Sequence, residues 1–325
     1  MKKKVKERMV FMNGKFVPES KAQISIYDSA LMFGDMVFEM TRSFNKKHFK
    51  LEKHIDRLFT GLKILRIEIP YSKKDLVDIC KKTSKINENV LAADDEHRLM
   101  IDVTRGALGI YSDVKNIQRE ANVIVADFPL RWTVNGMGEL FNKGINAVIT
   151  SQRAIPSRYL DPKIKNRSRL FYLMANIEAS LIKGDNNWAI LLDDDGFITE
   201  GTGDNFFIVK NNVLITPEPR NILVGISRDY VIELAKELKI KVIEKNIEPY
   251  DVYTADEAFM TGTPFCMLPV KSLNEIKIGN KFPGKIYKRI LKHWSKKVKL
   301  NIKSQIIGWN KNQNQLKKIS PYRFK

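Results

Sequence analysis

A glycine followed by a hydroxyl at the head of an amphipathic stretch can seat a phosphate, and Gly225-Ile226-Ser227-Arg228 has that form. A helix N-terminus offers free N–H groups and a partial positive charge, which together favour an anion. A plain serine N-cap gives the same letters, so the motif alone decides nothing. Thr261-Gly262-Thr263 ends a short apolar run just before Pro264. Hydroxyls and a glycine there suit close approach of backbone to a ligand, and an ordinary turn suits them equally. Thr199-Glu200-Gly201-Thr202-Gly203-Asp204-Asn205 brings a carboxylate into a glycine-rich loop ahead of an apolar strand, where a flexible turn is the alternative to a ligand-holding loop. Lys165, in Asp161-Pro162-Lys163-Ile164-Lys165-Asn166-Arg167-Ser168-Arg169-Leu170, is one lysine in a chain with 56 Lys and Arg, and its surroundings do not set it apart from surface charge.

These groups need a scaffold, and its pieces are readable. Asn13-Gly14 centres a hairpin over Val10 to Val17, because Asn-Gly supplies the positive φ angles of a tight turn. Leu51, Ile55, Leu58, Leu62 and Leu65 recur at helical spacing and Pro70 closes the run. A second helix follows over Lys73 to Asn87, then strands over Leu99 to Thr104 and Val123 to Asp127. Pro129 and two glycines interrupt the pattern between Phe128 and Gly138, which marks a boundary. Beyond it the sequence predicts a strand over Ile145 to Thr150, a helix over Arg169 to Lys183, a strand over Trp188 to Leu192 and a hairpin around Asn211-Asn212. Ser227 to Leu238 reads as a helix, with short strands at Lys241 to Glu244 and Glu257 to Met260. The organisation expected is a small α+β domain over 1–130, a linker over 131–138, a larger domain over 139–300 that carries the ligand motifs, and a basic tail over 301–325.

Composition removes several function classes. A chain of 325 residues that is 43% hydrophobic can bury a substantial core. No run approaches 18 apolar residues, and none of signal-peptide length follows the basic stretch Met1 to Arg8, so a soluble cytoplasmic protein without membrane contact is expected. Cys80 and Cys266 lie far apart without metal-ligand spacing, so neither a disulfide framework nor a metal site is expected. The net charge of +19 raises nucleic-acid binding as an alternative. Most of the excess falls between Lys281 and Lys325, a stretch with no Asp or Glu that also holds Asn310-Lys311-Asn312-Gln313-Asn314-Gln315, and a solvated tail after a terminal helix accounts for it.

The motifs gain meaning from their order. Phe33-Gly34-Asp35-Met36-Val37-Phe38-Glu39, His54-Ile55-Asp56-Arg57-Leu58, Thr104-Arg105-Gly106, Lys165 with Ser168-Arg169-Leu170, Thr199-Glu200-Gly201, Gly225-Ile226-Ser227-Arg228 and Ala255-Asp256-Glu257-Ala258-Phe259-Met260-Thr261-Gly262-Thr263 occur collinearly between about Phe11 and Ile290. This series closely resembles the class IV aminotransferases, the fold type IV enzymes of pyridoxal 5'-phosphate (PLP) that act on branched-chain or D-amino acids. The resemblance implies a two-domain α/β (α+β) architecture of the D-amino acid aminotransferase-like type, and a homodimer. Lys165 matches the Schiff-base lysine that later carries the proton between the substrate Cα and cofactor C4'. Glu200 matches the carboxylate on the pyridine nitrogen, where it keeps the ring protonated as an electron sink. Arg57, the backbone at Ile226 and Ser227, the Ser227 hydroxyl and Thr263 match the phosphate cup. Phe33, Arg105 and Thr263 are the positions implied for substrate, with Arg167 and Arg169 as further choices for its carboxylate.

Three departures bear on that substrate. Branched-chain enzymes place a tyrosine a few residues after the lysine, where this chain has Arg169 or Leu170; Tyr172, two residues beyond Leu170 on a helix, is expected to point nearly the opposite way. Pro264 has no N–H to offer a carboxylate. The Arg-x-His of D-amino acid enzymes is missing from Ala107-Leu108-Gly109-Ile110-Tyr111-Ser112. Transamination between a branched-chain L-amino acid and 2-oxoglutarate is the expectation; D-amino acid transamination and the aminodeoxychorismate lyase reaction, which releases pyruvate, are the alternatives within the family.

Overall fold

The computed structural model describes residues 7–311. The chain divides into two units, one running through Trp132 and including Ile164–Ser168, the other made of Thr133–Lys163 and the chain from Arg169 onward.

In the first unit a five-stranded antiparallel sheet has the spatial order Lys15–Pro18, Met9–Met12, Asn122–Pro129, His97–Thr104, Met36–Met40. One face carries Val37, Leu99, Ile101, Val103, Val123 and Val125, and on it lie the helices Leu51–Leu65 and Lys73–Asn87 through Leu51, Ile55, Leu58, Leu62, Leu76 and Cys80. The period-2 alternation of the strands and the helical repeat of the leucines meet in one core. The second helix starts on a capping box, in which the Ser72 side chain accepts from Asp75 N and the Asp75 carboxylate accepts from Ser72 N. The other sheet face carries Phe38, Met40, Arg98, Met100 and Asp102, with Phe38 paired to Asp102 and Met40 to Met100.

Ile164–Ser168 belongs to this unit rather than to the later domain expected from the sequence. Ile164 joins the apolar core, and Lys165 accepts a hydrogen bond at its carbonyl from Phe38 N at 2.9 Å.

The second unit is built on a nine-stranded mixed sheet. Its path runs Ile198–Gly201, Asn187–Leu192, Ile145–Arg153, Cys266–Leu273, Glu257–Gly262, Asn205–Lys210, Val213–Thr216, Val242–Glu244, and the ninth strand, Ile276–Lys277, pairs with Cys266–Leu273 off that path. Glu200 pairs with Asn205, which closes the first six of these strands on themselves. Asn205 also pairs with Thr261, so two of the sequence motifs arrive at neighbouring positions of one sheet. The helix Leu170–Leu181 packs Tyr172, Ala175 and Ala179 on Val148, Ala189 and Leu191; the alanines let it lie close to the sheet. The helices Ile226–Glu237 and Lys285–Lys297 meet where Tyr230 stacks edge-on against Trp294, with ring centres 5.0 Å apart.

The tail expected from residue 301 begins as a helix instead. Ile302–Lys311 buries Ile302, Ile306 and Trp309, a spacing of four and three that places all three on one side. Residues 312–325 of that expected tail lie outside the described residues.

Candidate active site

In the first unit the strand Met36–Met40 directs Glu39 to its helix-facing side, where it has no exposed surface. Arg57 meets it with a two-pronged ion pair, Nε to Oε1 at 2.6 Å and Nη2 to Oε2 at 2.9 Å. His54, one helical turn earlier, shares Oε2 at 2.7 Å through Nδ1. Burial opposes the charge on Glu39, but Arg57 and His54 outweigh it and hold the carboxyl well below the usual carboxylate range. The His54 imidazole is pushed down by burial, and by Arg57 and Lys165, against the pull of Glu39. Arg57 therefore stands fixed by a carboxylate whose own position is fixed by a strand.

On the opposite face, Lys165 Nζ lies 4.6 Å from the Phe38 ring centre. Arg167 covers the same ring at 3.8 Å and pairs with Asp102 at 3.0 Å. Arg98 shares this sheet face. It is 6% exposed, its Nε and Nη1 are buried without a hydrogen-bond partner, and Nη2 has only Met40 Sδ at 3.6 Å. Burial, with Arg42 and Arg167 nearby, pushes its guanidinium down to about 9. A buried cation whose one acceptor is a weak thioether is costly, and an anionic ligand would relieve it.

Arg105, expected to meet a substrate carboxylate, is engaged elsewhere. Its Nε and Nη2 grip Asp35, while Nη1 and Nη2 donate to the carbonyls of Arg66 and Leu65 at 3.1 and 2.7 Å. Those carbonyls end the helix Leu51–Leu65, so Arg105 is a C-terminal clamp on that helix. Phe33 ends a short helix, is 64% exposed, and offers its carbonyl to Ser168 Oγ.

In the second unit Glu200 is buried and accepts from three donors. Tyr172 Oη donates to Oε1 at 2.6 Å, while Asn205 Nδ2 and Leu223 N donate to Oε2 at 3.1 and 3.0 Å. Asn205 Nδ2 also reaches the Leu223 carbonyl at 2.8 Å and so ties the strand to the segment leading into the helix Ile226–Glu237. Gly225 passes so close that a Cβ there would lie 2.1 Å from Asn205 Oδ1. Gly225 is also the N-cap, and no side chain caps this helix end, so its first-turn N–H groups beside the buried Ser227 are presented for an anion. Arg228 turns the other way, to the Pro217 carbonyl at 3.0 Å and Glu244 at 2.6 Å. Thr261 Oγ1 is buried without a partner, and Thr263 follows in the turn that joins two strands of the sheet.

Tyr172 points away from Leu170 as expected, yet it is the one of the two that turns inward. Leu170 faces outward, 69% exposed, while Tyr172 is 7% exposed and holds Glu200. Sequence reasoning also misses Arg98, and it gives Glu39 and Asn205 no role although both lie in its motifs. A glutamate inside Met36-Val37-Phe38-Glu39-Met40, with His54 and Arg57 at i, i+3 on the following helix, is the sequence signal that could have found the Glu39 cluster.

The family model described as class IV amino-transferase matches residues 36–273. The chain is 40% identical over 282 residues to a protein of Methanocaldococcus jannaschii named putative branched-chain-amino-acid aminotransferase, with 86% of this chain and 93% of that protein covered. Among solved structures it is similar to the branched-chain amino acid aminotransferase of Escherichia coli, with TM-score 0.77, 30% identity, and 88% and 92% of the two chains covered. It is likewise similar to the T.th. branched-chain amino acid aminotransferase complexed with N-(5'-phosphopyridoxyl)-L-glutamate, with TM-score 0.76, 28% identity, and 94% and 96% covered.

Proposed function

We propose that this chain, which belongs to the class IV aminotransferases and is thus a PLP-dependent transaminase, moves the amino group of a branched-chain L-amino acid to 2-oxoglutarate with Lys165 as its Schiff-base lysine. When bound, PLP supplies a protonated ring that accepts electron density from the substrate Cα. The second unit fits that group. Glu200 is a carboxylate fixed by three donors and suited to a ring nitrogen, while the uncapped helix end at Ile226 and Ser227 suits a phosphate. To the same cofactor the reading assigns Arg57 and Thr263 as phosphate partners. Lys165 Nζ is the base that takes the proton from the substrate Cα and returns it. Phe33 and Thr263 are assigned to substrate, and Arg105 is withdrawn in favour of Arg98.

The observation that carries the choice of substrates is Arg98. A guanidinium buried with Nε and Nη1 unpartnered, beside Met40 and on the sheet face that also carries Phe38, Met100 and the Lys165 amine, suits the second carboxylate of 2-oxoglutarate; the apolar side chains of that face suit a branched aliphatic side chain. The relatives' names point to a branched-chain amino acid as the donor. The enzyme is expected to accept leucine, isoleucine or valine and not D-alanine, and to release no pyruvate from an aminodeoxychorismate-type substrate. Arg98→Met should lower kcat/KM for 2-oxoglutarate about 100-fold, the effect of roughly 2.7 kcal/mol, and spare the half-reaction with leucine. Equal losses in both half-reactions would sink this assignment. A cytoplasmic homodimer belongs to the same reading as an implication of the family, and sedimentation equilibrium tests its assembly.

A further inference from the structure

The loop that carries Glu200 holds a second buried carboxyl. Gly201 N donates to the Asp204 carbonyl at 2.9 Å, and the Asp204 side chain folds back so far that a Cβ on Gly201 would lie 2.3 Å from Asp204 Oδ1. The two acids are treated unequally. Glu200 has its three donors, from Tyr172, Asn205 and Leu223, whereas Asp204 Oδ1 is buried with no hydrogen-bond partner. Both carboxyls are buried on one loop and the Glu200 charge acts on Asp204, so in this water-poor site the pair gains by carrying one charge rather than two.

We propose that Tyr172 is a positioning residue for amino transfer: its phenol, donating to Oε1, places the single negative charge of this acid pair on Glu200, facing the ring nitrogen of the cofactor, while Asp204 keeps the proton. This rests on the assignment of Glu200 to that nitrogen. The donor is short and lies in a buried setting, where a hydrogen bond to an ion counts about twice a neutral one. The helix Leu170–Leu181 fixes the phenol, because Tyr172 lies in the apolar contact with the sheet. Arg169, the N-cap of that helix, places its guanidinium 5.2 Å from the Tyr172 ring centre, and a cation on the ring strengthens the phenol as a donor.

The titratable groups that act on this arrangement include Tyr172 and Arg169 from the helix and Asp204 from the loop, and their tendencies agree. Burial and then the Glu200 charge push the Asp204 carboxyl up to about 8, and the same two causes push the Tyr172 phenol well above its ordinary value, so the phenol remains a donor through the working range. Arg169 opposes that rise in Tyr172 without cancelling it.

The test loads the full chain with PLP labelled with 15N in its ring and follows the nitrogen shift against pH, with no amino acid present. The cofactor dissociation constant is measured in parallel, so neither reading depends on which substrate the enzyme takes. The unmodified chain should keep the nitrogen protonated past neutrality. Tyr172→Phe should lower the pH of its deprotonation by about one unit, weaken PLP about tenfold, and lower kcat about tenfold with KM for the amino acid little changed. Adding Asp204→Asn to Tyr172→Phe removes the competing acid and should return the nitrogen shift and the affinity toward those of the unmodified chain. A merely structural tyrosine would show no such rescue. If Tyr172→Phe leaves nitrogen and affinity unchanged, or if the double variant recovers neither, the proposal is overturned. Should Tyr172→Phe fail to fold, 3-fluorotyrosine at position 172, a stronger donor of nearly the same shape, must raise the deprotonation pH, and an unchanged value is equally fatal.

Discussion

Glu39 has no exposed surface, and its carboxylate keeps its charge because Arg57 and His54 meet it. Glu39→Gln removes that charge and leaves the buried His54 and the half-buried Arg57 facing a neutral amide. A loss of about 3–5 kcal/mol is expected, because breaking a buried pair strands the remaining partner. Its pH dependence follows from the direction of the shift. The folded Glu39 titrates below its unfolded value of 4.5, so its contribution is whole above that pH and is lost as pH falls through the folded value. Urea melts at pH 7 and pH 3 should therefore show the gap between Glu39→Gln and the unmodified chain narrowing in acid. A gap as wide at pH 3 would show that packing, not charge, is what the glutamate contributes. Asp204 gives the opposite sign. Its folded value, about 8, lies above the ordinary value of 3.8, so the native state holds a proton that the unfolded chain releases, and stability falls as pH rises from about 4 to about 8. Asp204→Asn stays neutral, and in the cofactor-free protein it should gain on the unmodified chain as pH is raised from 5 to 9. A constant difference across that range would contradict the burial argument.

The segment from Glu200 to the helix Ile226–Glu237 works as one device, and Gly225 is its tightest point. Its φ of −73° is open to any residue, so the requirement for glycine is contact and not conformation. Gly225→Ala would drive the Asn205 amide off both Glu200 and the Leu223 carbonyl. PLP affinity should fall at least about tenfold, as expected for losing about 1.4 kcal/mol or more, while the far-ultraviolet circular dichroism stays intact. Unaltered affinity would mean that the loop relaxes around the methyl. How far such devices are legible depends on their range. Local periodicity places the helices Leu51–Leu65, Lys73–Asn87 and Ile226–Glu237 and the hairpins at Asn13-Gly14 and Asn211-Asn212, because each is encoded by neighbours three, four or two residues apart. Met36–Met40 escapes such reading because its Glu39 reads as polar until Arg57 is folded onto it, and Cys266–Leu273 because Pro269 discourages a strand reading. The site motifs are legible only as a collinear set resembling a known family. Tyr172 and Arg98 matter through contacts that no local spacing encodes: one reaches 28 residues along the chain to Glu200, and the other is notable for the partners it lacks.

The chain's charge of +19 asks whether its basic end serves a ligand or only solvent. The helix Lys285–Lys297 buries Ile286, Tyr287, Ile290, Leu291 and Trp294, which leaves its lysines on the outer side; Lys297 and His293 meet Glu237 at 2.9 and 2.7 Å. Its positive charge is thus the polar face of an ordinary amphipathic element. Ile302–Lys311 continues the pattern, with Ile302, Ile306 and Trp309 buried and Asn310 accepting from Gly138 N of the same unit at 3.3 Å. Two truncations separate the roles. Ending the chain after Leu300 deletes three buried apolar side chains, each worth about 1.5–3 kcal/mol, and should lower the melting temperature by many degrees. Ending it after Lys311 removes only residues 312–325 and should leave both melting temperature and amino transfer as they were. If the second truncation instead abolished a salt-sensitive affinity for RNA, with the slope against salt that released counterions impose, the basic end would be a binding arm rather than a solvated one. Because the buried residues stop at Trp309 among those described, while lysines and arginines continue to Lys325, the two truncations divide fold from charge along the chain itself.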